Sequence, residues 1–355
     1  MRLDELIRSY DPTATLDEAS TAPASWYLDA EITDLERRTV FSRQWQSVAR
    51  VEQVEKPGQY ITCTVAEEPI VIVRGNDRKL RAFFNVCRHH AAALMTELCG
   101  EAELLRCPYH GWTYSLEGDL KSAPDLGSIC NFDRKSMGLL PLEVTVWKRW
   151  VIARLSGVNR PVTGMGNLEV DLDQFHWFER RHYILDCNWK VFVDNYLDGG
   201  YHVPHLHKGL DRVLDYSEYQ IELGDRFCLQ WSPFAGGGRV LYYWFYPNFM
   251  INIYPSAMDT NLVIPRGVTQ TEVIFDFYFK DVSDKSRERN LASVEESERI
   301  QNEDVAICTS VQRGLASRAY TSGRLSVRRE AGEHLFHRLL HADLVSGLGN
   351  SGSDV

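Results

Sequence analysis

Hydrophobic and polar positions alternate in short runs between residues 59 and 155, as in "QYITCTVAEEPIVIVR", "LRAFFNV", "GWTYSL" and "EVTVWKRWVIARL". Alternation over four to eight residues is the signature of strands with one face buried. Gly75-Asn76-Asp77 and Glu117-Gly118-Asp119 separate the runs as tight turns. The pattern predicts a small all-β unit over 43–155. It then breaks at "SGVNRPVTGMGN", a Gly/Pro/Asn-rich stretch read as a linker. Farther on, Trp189, Phe192, Val193 and Tyr196 recur at helical spacing, "RVLYYWFYPNFMINIY" and "TEVIFDFYF" read as strands, and a long helix is predicted between about Asp284 and Gly314. Residues 1–42 and 156–355 are therefore expected to form a second, larger α+β domain with an antiparallel sheet and helices. Near its end, Leu335, Phe336, Leu339 and Leu340 predict the buried face of a helix whose His334, His337 and His341 are exposed, and "VSGLGNSGSDV" is expected to fray.

Composition narrows the function classes. With 355 residues, 44% of them hydrophobic, the chain can bury a sizeable core in two domains. A formal charge of −10 without a long Lys/Arg run argues against nucleic acid or an anionic membrane surface as partner. No stretch approaches eighteen consecutive apolar residues, and the first twenty lack an unbroken apolar core. A cytoplasmic protein is expected, or one of an organelle matrix if a transit peptide has been removed. Eight scattered cysteines are too few for a disulfide scaffold and favour metal or core roles.

Two of those cysteines carry chemistry. In "NVCRHHAAALMTELCGEAELLRCPYHGW", Cys87-x-His89 and Cys107-x-x-His110 each pair one thiolate with one imidazole. Such a set can bind tetrahedral Zn²⁺ or a [2Fe–2S] cluster in which two histidines replace two cysteines on one iron. Common zinc fingers pair Cys with Cys and His with His, so the mixed loops favour a Rieske cluster, with Cys87 and Cys107 on one iron and His89 and His110 on the other. His90 and Cys99 have no place in the pattern.

An electron relay implies a destination. The segment "CNWKVFVDNYLDGGYHVPHLHKGL" carries His202 and His207 just after a predicted helix, although Pro204 and Gly199-Gly200 foretell an irregular one. Two imidazoles and a carboxylate make the facial triad of a mononuclear iron(II) oxygenase. For the carboxylate, Gln301, Asp304, Cys308, Val311 and Leu315 share one stripe of the long helix, and a charge there asks for a metal. Glu303 faces about 100° away and reads as solvated.

On "CRHHA…CPYHGW", "NWKVFVDNYLDGGYHVPHLHKGL", "YPNFMINIYPSAMDTNLV" and "EDVAICTSVQRGL", the chain resembles the large subunit of Rieske non-haem iron oxygenases over nearly its full length, and within that family the members acting on choline. The resemblance implies a helix-grip, START-like catalytic domain. It implies Cys87, His89, Cys107 and His110 as cluster ligands, and His202, His207 and Asp304 as iron ligands. It also implies a homotrimer, O2 as co-substrate, and a separate ferredoxin or flavin reductase. "FAGGGRV" indeed lacks the glycine spacing of a dinucleotide fingerprint. Most family members place an acidic bridging residue three before the first iron-binding histidine, where this chain has Gly199; Asp198 and Asp194 are the candidates for that role. A quaternary ammonium substrate would be held by ring faces, for which Tyr196, Tyr201, Trp244, Tyr246, Phe249 and Tyr254 are the candidates. Carnitine or glycine betaine would need a pocket arginine, for which Arg266 is the possible source.

Overall fold

The computed structural model describes residues 2–155, 168, 170–207, 209 and 214–349. The expected linker at 156–167 lies outside them. Two compact units emerge, residues 41–162 and residues 1–40 with 163–355.

In the unit 41–162, strands β1 (Gln46–Arg50), β2 (Gln59–Val65), β3 (Glu68–Arg74), β4 (Leu80–Phe84) and β5 (Cys99–Glu101) join β9 (Pro141–Trp147) and β10 (Trp150–Arg154) in one sheet, ordered β1-β10-β9-β4-β3-β2-β5. Its pairings are antiparallel. β6 (Leu105–Arg106), β7 (Thr113–Tyr114) and β8 (Leu120–Ser122) form a second, three-stranded sheet. The apolar run Ile70–Val73 of β3 is buried on both faces. Ile70 and Ile72 enter one core with Ile61 and Val151, while Val71 and Val73 enter the other with Leu105, Trp112, Tyr114, Cys87 and Cys107. The two cysteine loops are thus anchored in a core rather than laid over one.

The larger unit is α+β. Its sheet runs β11 (His176–Leu185), β17 (Thr271–Phe279), β16 (Ala257–Pro265), β15 (Phe249–Ile253), β14 (Arg239–Phe245), β13 (Phe227–Pro233), β12 (Gln220–Leu223), again antiparallel. Directly paired residues carry Gln230, Tyr242, Asn252, Asp259 and Phe277 across five strands on one face. The helices are α1 (Leu3–Arg8), α2 (Ala30–Glu36), α3 (Trp189–Leu197), the single turn α4 (Val203–Leu206), α5 (Arg287–Leu315) and α6 (Ala331–Leu348). Asn188 starts α3 by accepting the Lys190 amide N–H at 3.1 Å. Lys190, fully buried, meets Glu36 at 2.7 Å, and Trp189 Nε1 donates to the same carboxylate at 2.8 Å, so this ion pair is also hydrogen-bonded. No helix among the described residues is long and apolar enough to cross a membrane.

Two expectations fail on α6 and one on α5. Helix α6 runs through Leu348, so the segment from Val345 begins helical instead of fraying. His334 and His337 are buried with Phe336 and Leu340. A polar partner explains His337: its Nδ1 accepts the Ala22 amide N–H at 3.2 Å, leaving Nε2 as the protonated nitrogen 3.0 Å from Asp194 Oδ1. On α5, Val311 is exposed while Gln301, Cys308, Gln312 and Leu315 are buried, because the buried stripe passes through 312 rather than 311.

Candidate metal centres

The two cysteine loops adopt one design. The Cys87 carbonyl accepts the Ala91 N–H at 3.0 Å and the Cys87 N–H donates to the Ala92 carbonyl at 2.8 Å; in the second loop Cys107 makes the same pair of bonds with Gly111 and Trp112, at 3.1 and 2.8 Å. Ala91 and Gly111 both carry positive φ, 59° and 71°, at the same point of the turn. Both thiols are buried, and the rings of His89 and His110 stand 4.7 Å apart with His89 stacked on Trp112. The His89 Nδ1 is buried and has no hydrogen-bond partner among the described residues, as a ligating nitrogen requires. Tyr114 Oη lies 3.6 Å from Cys87 Sγ and accepts the Arg88 N–H at 3.1 Å.

A tetrahedral zinc with bonds of about 2.0–2.3 Å would draw all four donor atoms within about 4 Å of one another. Among the described residues two triads of donor atoms close to within 4.8 Å, and neither includes these four.

His202, His207 and Asp304 form one of the two close triads. Asp198 ends α3, then Gly199 and Gly200 at φ of 69° and 67° turn the chain sharply, so that His202 and His207 flank the single turn α4. Asp304 Oδ1 sits 3.1 Å from His207 Nε2 and 3.9 Å from His202 Nε2, and accepts from Asn195 Nδ2 at 2.9 Å. Each imidazole is oriented by a carboxylate on its other nitrogen. Asp198 Oδ2 is 2.6 Å from His202 Nδ1, and Glu303 Oε2 is 2.6 Å from His207 Nδ1. That leaves both Nε2 atoms facing Asp304, which is the donor set and outer support a mononuclear iron(II) takes. Burial works against a charge on His207, yet Asp304 and Glu303 outweigh it and hold its pKa above the ordinary histidine value.

The role of Glu303 escaped the sequence reading. Helical geometry correctly turned it off the Asp304 stripe, but its partner arrives from a segment 96 residues away, which periodicity cannot show. Asp194 stands apart from this centre. Its two oxygens are occupied by Tyr27 Oη at 2.6 Å and His337 Nε2 at 3.0 Å. With Glu333 these make the other close triad, but the Ala22 bond keeps the proton on His337 Nε2 and so makes that nitrogen a donor, not a ligand.

A cavity of about 550 Å³ opens on His202, His207 and Asp304. Tyr196 and Tyr254 line it, joined by Tyr219, Tyr242 and Phe234, which the sequence reading passed over. The other four candidates lie elsewhere. Tyr201 is exposed; Phe249 points to the opposite sheet face, near Phe245. Trp244 and Tyr246 share the strand parity of Tyr242, but there α6 covers the sheet: Trp244 packs edge-on against Phe336, and Tyr246 donates to Asp343 at 2.9 Å. No Lys or Arg lines the cavity among the described residues, and Arg266 is paired with Glu272 away from it.

Comparison with known proteins agrees with this chemistry. The Rieske [2Fe-2S] domain family matches residues 44–133, and the ring hydroxylating alpha subunit (catalytic domain) family matches 172–222 and 215–344. The chloroplastic choline monooxygenase of Arabidopsis thaliana is 40% identical over 96% of this chain and 87% of its own. The carnitine monooxygenase oxygenase subunit of Escherichia coli (strain K12) is 29% identical over 92% of this chain and 94% of its own. A crystal structure of a quaternary ammonium Rieske monooxygenase with L-carnitine superposes with a TM-score of 0.81 at 28% identity, covering 93% and 96% of the two chains. A cluster domain joined to a catalytic domain, rather than an electron carrier or a zinc protein, is what these matches describe, and the chain belongs to the Rieske non-haem iron monooxygenases, which carry a Rieske [2Fe–2S] cluster and a mononuclear iron.

Proposed function

We propose that the protein hydroxylates choline at its carbinol carbon, giving the hydrate of betaine aldehyde on a route to glycine betaine. O2 supplies one oxygen atom to the product and leaves the other as water, with two electrons and two protons arriving from a ferredoxin or flavin reductase. In this reading Cys87, His89, Cys107 and His110 hold the cluster, and His202, His207 and Asp304 hold the iron. The iron, when bound, supplies the site at which O2 is activated.

The chain's own residues do the rest. Asp198 and Glu303 keep the imidazoles in the tautomer that offers Nε2. Asn195 restrains Asp304. Asp198 is also assigned as the bridge to the neighbouring subunit of a homotrimer, since it contacts His202 directly while Asp194 is turned to Tyr27 and His337. The reaction is assigned to the cytoplasm, or to an organelle matrix by analogy with the plant relatives named chloroplastic.

The observation that carries the substrate is the cavity wall. Tyrosine and phenylalanine faces attract a trimethylammonium group, each contributing roughly 0.5 to 2 kcal/mol. A substrate with a carboxylate, such as carnitine or glycine betaine, would meet no cationic side chain among the described lining residues. Oxygen uptake coupled to product, measured in parallel with choline, carnitine and glycine betaine, is expected to favour choline. Turnover of carnitine or betaine without choline would leave the oxygenase and overturn the substrate.

A further inference from the structure

Asp259 is 5% exposed and lines the cavity from the middle of β16. Asn252 Nδ2 and Asn261 Nδ2 both donate to its Oδ1, at 2.8 and 2.9 Å. The Asn252 amide is itself fixed, because Tyr196 Oη donates to its Oδ1 at 2.7 Å. Two N–H groups aimed at one oxygen suit a carboxylate that accepts only. Its Oδ2 takes no hydrogen bond from the described residues, and no Lys, Arg or His pairs with it there. A buried carboxylate with amide donors and no counter-charge is costly, and the register Tyr242–Asn252–Asp259 across three strands sets it on the face that lines the cavity.

We propose that Asp259 is the counter-charge for the substrate's quaternary ammonium head, which sits against Asp259 with the rings of Tyr196, Tyr242 and Tyr254 around it. This rests on the quaternary ammonium reading above and names the residue that selects the charge. The carbinol end is thereby left for His202, His207 and Asp304, which line the same cavity. A trimethylammonium group has no N–H to donate, so a carboxylate already served by two amides is the fitting partner: it supplies field without asking for a hydrogen bond. Burial, only partly offset by the two asparagines, pushes the Asp259 carboxyl up to about 7, and a cation beside it would draw that value down.

The test compares choline with its uncharged isostere 3,3-dimethylbutan-1-ol by equilibrium titration of the iron-loaded protein. Wild type is expected to prefer choline, and Asp259→Asn to lower the ratio of the two affinities at least about ten-fold, or about 1.4 kcal/mol. Asp259→Glu, which keeps the charge, should retain most of the preference. An unchanged ratio in Asp259→Asn would overturn the assignment while sparing the quaternary ammonium reading; a wild type without preference for choline would overturn both. A measurement on wild type alone stands beside the variants. Tetramethylammonium, which is only the head, should compete with choline, and the anion pivalate of similar shape should not. Equal competition by pivalate would refute a negative subsite.

Discussion

Asp304 was singled out in the sequence because a carboxylate on a buried helical stripe needs an explanation, and Glu303 was not because its partner comes from another element. Its position makes a measurable demand. Glu303→Ala should weaken iron binding about 10–100-fold, the range for losing the group that orients a ligating histidine. Glu303→Gln, which can still accept from His207 Nδ1, should lose less; titration of apo-protein with Fe(II) measures both. Glu333 offers a second test. Burial, then the charges of Asp194, Glu330 and Asp198, raise its pKa well above the ordinary value. The unfolded chain releases this proton at lower pH than the folded one, so the stabilisation is complete below about pH 4.5 and fades as pH rises toward the folded value. Thermal melts should therefore show Glu333→Gln gaining on wild type between pH 5 and pH 8.

At the scale of elements, strand alternation and the helical stripes were readable, yet aromatic density along the chain did not show which rings line the cavity. Tyr242 and Trp244 share a face of the sheet and Tyr246 follows just past the strand, and only Tyr242 reaches the cavity, because α6 covers what lies beyond it. Which part of a face is covered is a tertiary fact. The buried His337 of α6 escaped for a related reason: its partners Ala22, Tyr27 and Asp194 come from distant segments. The turn between α3 and α4 carries its own prediction. A Cβ on Gly199 would lie 2.1 Å from the Arg329 carbonyl oxygen at a φ of 69°. Gly199→Ala should destabilise by about 2 kcal/mol or more in urea unfolding. Gly200→Ala should cost less, since the nearest atoms there belong to the movable Tyr219 ring, at 3.0 Å.

For the molecule as a whole, both proposed sets of metal ligands could be picked out in the sequence because each is compact in the chain, apart from Asp304. The long-range sheet order, with β11 returning to pair β17, has no local signature. The assigned ligand sets lie in different units, so their losses should separate. Asp304→Ala is expected to fall from about three irons per chain to about two, with the visible spectrum of the cluster kept. Metal analysis beside an absorption spectrum decides it, and survival of the third iron would remove Asp304 from the ligand set.

The close approach of Gly199 to the Arg329 carbonyl also limits which substitutions the turn accepts. Family members commonly carry an acid three residues before the first histidine, but here no side chain fits at that position. Asp198, one residue earlier, meets His202 instead. A lineage passing between the two arrangements could not do so by one substitution. An acid placed at 199 would collide with the backbone at 329, and removing the acid at 198 first would leave His202 unsupported. The Asp-Gly-Gly turn and the loop before α6 are thus locked to each other: an acid at 199 fits only if both segments move together.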